Sequence, residues 1–89
     1  MPACNVTIIN RLGLHARAAS KFVQTAGGYA STVTVTRGDK AVNGKSIMGV
    51  MTLAAAQGAE LAIETSGEDA EAALAALVAL VEDRFGESA

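Results

Sequence analysis

Apolar and polar positions alternate with period two in four stretches of the chain and recur at helical spacing in three others. Residues 4–9, Cys4-Asn5-Val6-Thr7-Ile8-Ile9, are rich in β-branched side chains and predict a first strand with Cys4, Val6 and Ile8 facing inward. From Ala16 the apolar residues fall at Ala16, Ala19, Phe22, Val23 and Ala26, the pattern of a helix that Gly27-Gly28 ends. Thr32-Val33-Thr34-Val35-Thr36 alternates strictly, and Gly38-Asp39 turns it back into a shorter strand from Lys40 to Asn43. Ser46 is the natural N-cap of a short apolar helix over 47–54. Its internal Gly49 costs about 1 kcal/mol relative to Ala, which points to a close neighbour at that position. Glu60 to Glu64 alternates again, with Leu61 and Ile63 inward. A last helix comes next, capped by Ser66 or Asp69, acidic in its first turn, with Leu74, Leu77, Val78, Val81 and Phe85 as its buried stripe and Gly86 as its stop.

The order βαββαβα predicts an α+β fold. We expect an open-faced two-layer sandwich, a four-stranded antiparallel sheet with three helices on one face. Loops are short and no repeat or linker interrupts them, so residues 1–89 are read as one domain with one modest core. The only aromatics are Phe22, Tyr29 and Phe85, and the core must therefore come from Val, Ile, Leu, Met and Ala.

Composition narrows the function classes. Cys4 is the single cysteine, so neither an internal disulfide nor a thiol-based metal site can form, and no metal or cofactor is expected. The longest apolar run, residues 72–81, is ten residues against the roughly 20 a spanning helix needs. The expectation is a cytoplasmic chain without membrane insertion. A nucleic-acid-binding sheet needs an aromatic platform, and residues 32–43 and 59–66 contain no aromatic side chain. The net charge of −2 hides an asymmetry. Residues 1–58 carry six Lys/Arg against Asp39 alone, whereas residues 59–89 carry eight acids against Arg84. The basic part favours an anionic ligand or an acidic protein partner, unless the fold interleaves the halves.

The only histidine lies in Asn10-Arg11-Leu12-Gly13-Leu14-His15-Ala16-Arg17-Ala18-Ala19. A lone histidine carries little weight by itself, but this one stands at or next to a helix N-cap. There the amides of Ala16, Arg17 and Ala18 lack intrahelical partners, and a phosphoryl group on one imidazole nitrogen would lie over them. Arg17 can add a charge-assisted hydrogen bond. No acid/base partner, metal cluster or phosphate-binding glycine loop accompanies His15. A nucleophile with anion-stabilising groups and no substrate pocket suits a carrier better than an enzyme. Ser46 alone reads as a cap, although a phosphate there would also meet a helix start beside Lys45. The rival is a domain modified only on serine, with His15 incidental. Ile47, Met48, Val50 and Met51 exceed what one buried face of so short a helix requires, so some must be exposed for docking, and periodicity does not say which.

Gly13-Leu14-His15-Ala16-Arg17-Ala18-Ala19 together with Lys45-Ser46-Ile47-Met48-Gly49-Val50-Met51 resembles the HPr family. These are the histidine-containing phosphocarriers of the bacterial phosphoenolpyruvate-dependent sugar phosphotransferase system. The resemblance covers essentially the whole chain. It implies that Enzyme I phosphorylates His15 on Nδ1, that a sugar-specific IIA protein takes the group, and that Arg17 stabilises it. It makes Ser46 the regulatory site of an ATP-dependent HPr kinase/phosphorylase. It gives Leu14, Ala16, Ile47, Met48 and Met51 to the partner-docking surface, which Lys21 and Lys45 join with Arg17 as a ring of cations. A monomer is expected. Ala18 stands where many members have proline, which restores an N–H at the helix start, and Gly44 is expected to loosen the loop before Ser46.

Overall fold

Strict alternation decides which face of the sheet is covered. The computed structural model describes residues 2–89 and contains β1 (Ala3–Thr7), α1 (Ala16–Gly27), β2 (Thr32–Arg37), β3 (Lys40–Asn43), α2 (Ile47–Met51), β4 (Glu60–Ser66) and α3 (Ala70–Glu82). A 3-10 turn, Arg84–Gly86, comes after α3. The strands lie in the order β1-β4-β2-β3, and every neighbouring pair is antiparallel. The register sets Val6 opposite Leu61, Cys4 and Val35 opposite Ile63, and Val33 opposite Thr65. Those side chains share one face and are buried, apart from the half-buried Cys4. Asn5, Thr7, Glu60 and Glu64 occupy the other face and are exposed. The three helices cover the apolar face, the open-faced sandwich expected from the pattern. Among the described residues, no helix is long and apolar enough to cross a membrane.

Boundaries shift where tertiary contacts intervene. Ile8 lies just beyond β1 yet is fully buried, and it exchanges backbone bonds with Ala59 and Gly58. In α1 the buried residues are Ala18, Ala19, Phe22 and Ala26, so Ala18 replaces the exposed Ala16 on the inward face. The helix after Ser46 is only five residues long, because Ala54 takes a left-handed φ of 51° that no helix can continue through. Gly49 has no crowding neighbour. A Cβ there would stand 3.4 Å from Val42 and Ser46, an ordinary contact. Gly44 is not loose either, since it is buried and its amide donates to Val33 O at 2.8 Å. The final helix stops at Glu82. Arg84 and Phe85, each at φ 54°, turn the chain back, and Phe85 reaches the core from that turn instead of from the helix.

Asp69 is the N-cap residue of α3, but its side chain makes no capping bond. Its carboxylate instead accepts the amides of Ala30 (2.8 Å) and Ser31 (2.9 Å) and the Ser31 hydroxyl. The α1–β2 loop is thereby pinned to the start of α3. The Ser31 hydroxyl first, and the Ala30 amide second, hold the Asp69 carboxyl below the usual carboxylate range. A carboxyl depressed in the folded state stabilises the fold above its unfolded pKa, and that stabilisation is lost as pH falls through the folded value. Asp69→Asn should therefore melt at lower temperature than the parent near neutral pH. The gap should narrow as pH drops below about 4, as followed by circular-dichroism melts. Gly49→Ala should act in the opposite direction and raise stability by about 0.5–1 kcal/mol in urea titrations, because the helix gains propensity without a clash.

Candidate functional site

Three side chains and a tight turn build the His15 site. Asn10 is fully buried. Its Nδ2 donates to Gly13 O at 2.8 Å, and Gly13 N donates back to Asn10 O at 3.1 Å, which closes the 10–13 turn. Gly13 has φ 69°, and a Cβ there would come within 2.6 Å of Ala55 O. Only glycine fits both the conformation and the gap. Leu14 N donates to the same Ala55 O at 2.8 Å, so the loop is docked on the α2–β4 connection before α1 begins.

His15 then caps α1. Its backbone is extended (φ −75°, ψ 178°), and its Nδ1 accepts the Arg17 amide at 3.2 Å. The amide that the imidazole caps is thus Arg17's and not that of the buried Ala18. Nε2, at the other edge of the ring, meets the Glu87 carboxylate, whose second oxygen accepts Asn10 Nδ2 at 2.9 Å. The Asn10 amide first, and then His15, hold the Glu87 carboxyl below its ordinary range, and the Lys21 charge adds to the effect. An open depression of about 570 Å³ borders this group, lined in part by Arg11, Leu12 and the exposed Arg17.

Glu87 corrects the expectation that His15 stands without an acid/base companion. It lies 72 positions along the chain, in the tail after the last helix, and no local pattern marks it. It also brings charge from the acidic half of the sequence into the basic half, so the fold interleaves the two. Lys21 Nζ donates to Phe85 O at 2.6 Å, and Arg11 N donates to Ala89 O at 3.1 Å, which hold the tail against the site.

Ser46 is the N-cap of α2, its Oγ accepting the Gly49 amide at 3.1 Å. Beyond it, Val50 is fully buried, whereas Ile47, Met48 and Met51 are exposed, Met48 at 72 %. Periodicity leaves that division open, and the packing of α2 settles it. Ala16 is exposed as well. Leu14 is a correction: it belongs to the core, at 7 % exposure, because the Ala55 bond turns its side chain inward. The exposed apolar residue beside the site is Leu12, at 70 %. Lys21 and Lys45 are half-buried and tethered, Lys45 Nζ donating to Tyr29 O at 2.8 Å, so Arg17 and Arg11 are the exposed cations nearest His15.

Comparisons with known proteins identify the family. A family model described as "PTS HPr component phosphorylation site" matches residues 3–83. The phosphocarrier protein HPr of Pseudomonas aeruginosa is 56 % identical over 88 residues, covering 98 % of each chain. That of Neisseria meningitidis is 54 % identical over 83 residues, covering 93 % of each. An HPr crystal structure from Thermoanaerobacter tengcongensis superposes with a TM-score of 0.97 at 45 % identity, over the whole of both chains. A single histidine capping a helix beside an exposed arginine, the open-faced sandwich and these likenesses together place the chain in the HPr family, phosphocarrier proteins of the phosphotransferase system and not catalysts in their own right.

Proposed function

We propose that His15 accepts a phosphoryl group on Nδ1 from phospho-Enzyme I and hands it to a sugar-specific IIA protein. The observation that carries this reading is the Nδ1 position, over a helix start and within 3.2 Å of the Arg17 amide. The Nδ1 lone pair forms the new N–P bond, the bond between phosphorus and the donor breaks, and its electron pair stays with the donor. The Arg17 amide released from Nδ1 is then free to donate to a phosphoryl oxygen, together with its guanidinium. Binding of the group must remain moderate, because the same bond has to break when the next protein takes it.

The exposed Ile47, Met48 and Met51, with Ala16, form a small apolar docking patch, and Arg17 supplies its charge. Lys21 and Lys45 stiffen its edges through their backbone tethers. Such a patch suits brief encounters with acidic partner surfaces. Ser46 is the regulatory position in this reading. An ATP-dependent HPr kinase/phosphorylase would add roughly −1.5 to −2 charges beside the patch, weakening docking while α2 keeps an anionic cap. We further infer that residues 1–89 work as one domain, as a monomer in the cytoplasm.

Incubation with Enzyme I and labelled phosphoenolpyruvate should give a label that brief acid treatment releases and that His15→Ala abolishes. An acid-stable label, or one that persists in His15→Ala, would overturn the carrier reading in favour of serine modification. Met48→Asp should slow transfer about thirtyfold or more, the scale of an interface hot spot, and leave the melting temperature within about 4 °C. A collapse of the fold in that variant would make Met48 structural.

A further inference from the structure

We propose that Glu87 and Asn10 are positioning residues that hold His15 in the single tautomer able to accept a phosphoryl group, with the hydrogen on Nε2 and the lone pair on Nδ1. The proposal rests on Nδ1 as the accepting atom, the reading given above. Asn10 anchors the arrangement. This side chain is fully buried, and its Nδ2 donates at once to Gly13 O (2.8 Å) and Glu87 Oε1 (2.9 Å). Turning the amide over would press Oδ1 against a carbonyl and a carboxylate, two acceptors. The orientation of Asn10 is therefore dictated. Oδ1 bears the consequence, being a buried oxygen with no partner among the described residues.

With Asn10 fixed, the Glu87 carboxylate has one oxygen engaged and the other on His15 Nε2. A carboxylate only accepts, so Nε2 must carry the hydrogen. The opposite ring edge gives the same answer independently, because Nδ1 faces the N–H of Arg17 and must present a lone pair to it. Two unrelated contacts thus select one tautomer. No proton leaves His15 when the N–P bond forms at Nδ1. The ring keeps its Nε2–H and gains positive charge, which the adjacent carboxylate stabilises, and the same contact is present when the group departs.

The relay Gly13–Asn10–Glu87–His15 has a consequence that simple charge loss does not. Glu87→Ala removes one of the two selecting contacts and leaves the Arg17 amide alone to favour the productive tautomer, so the preference weakens toward a mixture. In Glu87→Gln the oxygen must face the two-hydrogen donor Asn10, so the NH2 faces Nε2 and favours the wrong tautomer, with the hydrogen on Nδ1, against the preference of the Arg17 amide. Both variants remove the same charge. Long-range 1H–15N correlation spectra of the unphosphorylated protein, above the pH at which the ring is protonated, should show Nδ1 unprotonated in the parent. They should show a detectable share of protonated Nδ1 in Glu87→Ala and a larger share in Glu87→Gln. Transfer from phospho-Enzyme I should fall about tenfold in Glu87→Ala, the lower range for a hydrogen bond to an ion at a part-exposed site, and further in Glu87→Gln. Parental tautomer and rate in Glu87→Ala, a faster rate, or identical behaviour of the two variants would overturn the proposal. The spectra need no phosphoryl transfer. Failure of the parent to be labelled at His15 would thus refute the carrier reading, while the spectra still judge the tautomer. Glu87→Gln preserves volume, so it serves if Glu87→Ala melts early.

Discussion

The fully buried Asn10 amide is the constraint on which the site depends. It closes the turn that delivers Leu14 and His15, and it receives the Glu87 carboxylate that returns from the far end of the chain. A buried amide is costly unless its groups are paired, and here both hydrogens are paired while the oxygen is not. That uneven pairing orders everything downstream. Gly13 fits against Ala55, α1 starts at a fixed point, and the imidazole enters the helix start with one ring edge facing an amide and the other a carboxylate.

The two sites of interest use the same device. His15 and Ser46 are both N-caps, extended in backbone, each accepting an amide of the helix it opens. A cap is a weak, replaceable bond of about 1 kcal/mol, so the amide it occupies can be given to an anion with little disturbance of the fold. The helices differ in their anchorage. Twelve residues of α1 tie His15 to the core through Ala18, Ala19 and Phe22, whereas α2 has five residues and anchors through Val50. The shortness of α2 is what leaves Ile47, Met48 and Met51 outside.

Electrostatics obey the fold more than the sequence halves. The basic N-terminal part meets acids from the C-terminal part at His15–Glu87 and at the Asp69 clamp on the Ala30–Ser31 loop. Two lysines that read as surface charge act largely as tethers, one to the tail and one to the α1–β2 loop. What remains outward near His15 is guanidinium, from Arg17 and Arg11, the charge best shaped for phosphoryl oxygens.

Local pattern is enough for the strands, the hairpin at Gly38-Asp39, the start of each helix at His15 and Ser46, and the layered fold, because alternation, caps and turn residues act within a few positions of one another. Pattern alone also runs the last helix on to Phe85 and α2 on to Ala54, and the family resemblance gives Leu14 to the docking surface. Each of these differs from the structure where a distant carbonyl or a left-handed residue redirects the chain. The same holds for Glu87. Its place on His15 comes from a tail folded back through Phe85 and Lys21 across 72 positions, and hydrogen bonds of that kind leave no periodic trace in a sequence. The histidine proposed as nucleophile and the helix start that holds it are legible from a few consecutive residues. Which nitrogen of that imidazole carries the lone pair is a property of the folded chain alone, because it depends on the groups that face both edges of the ring.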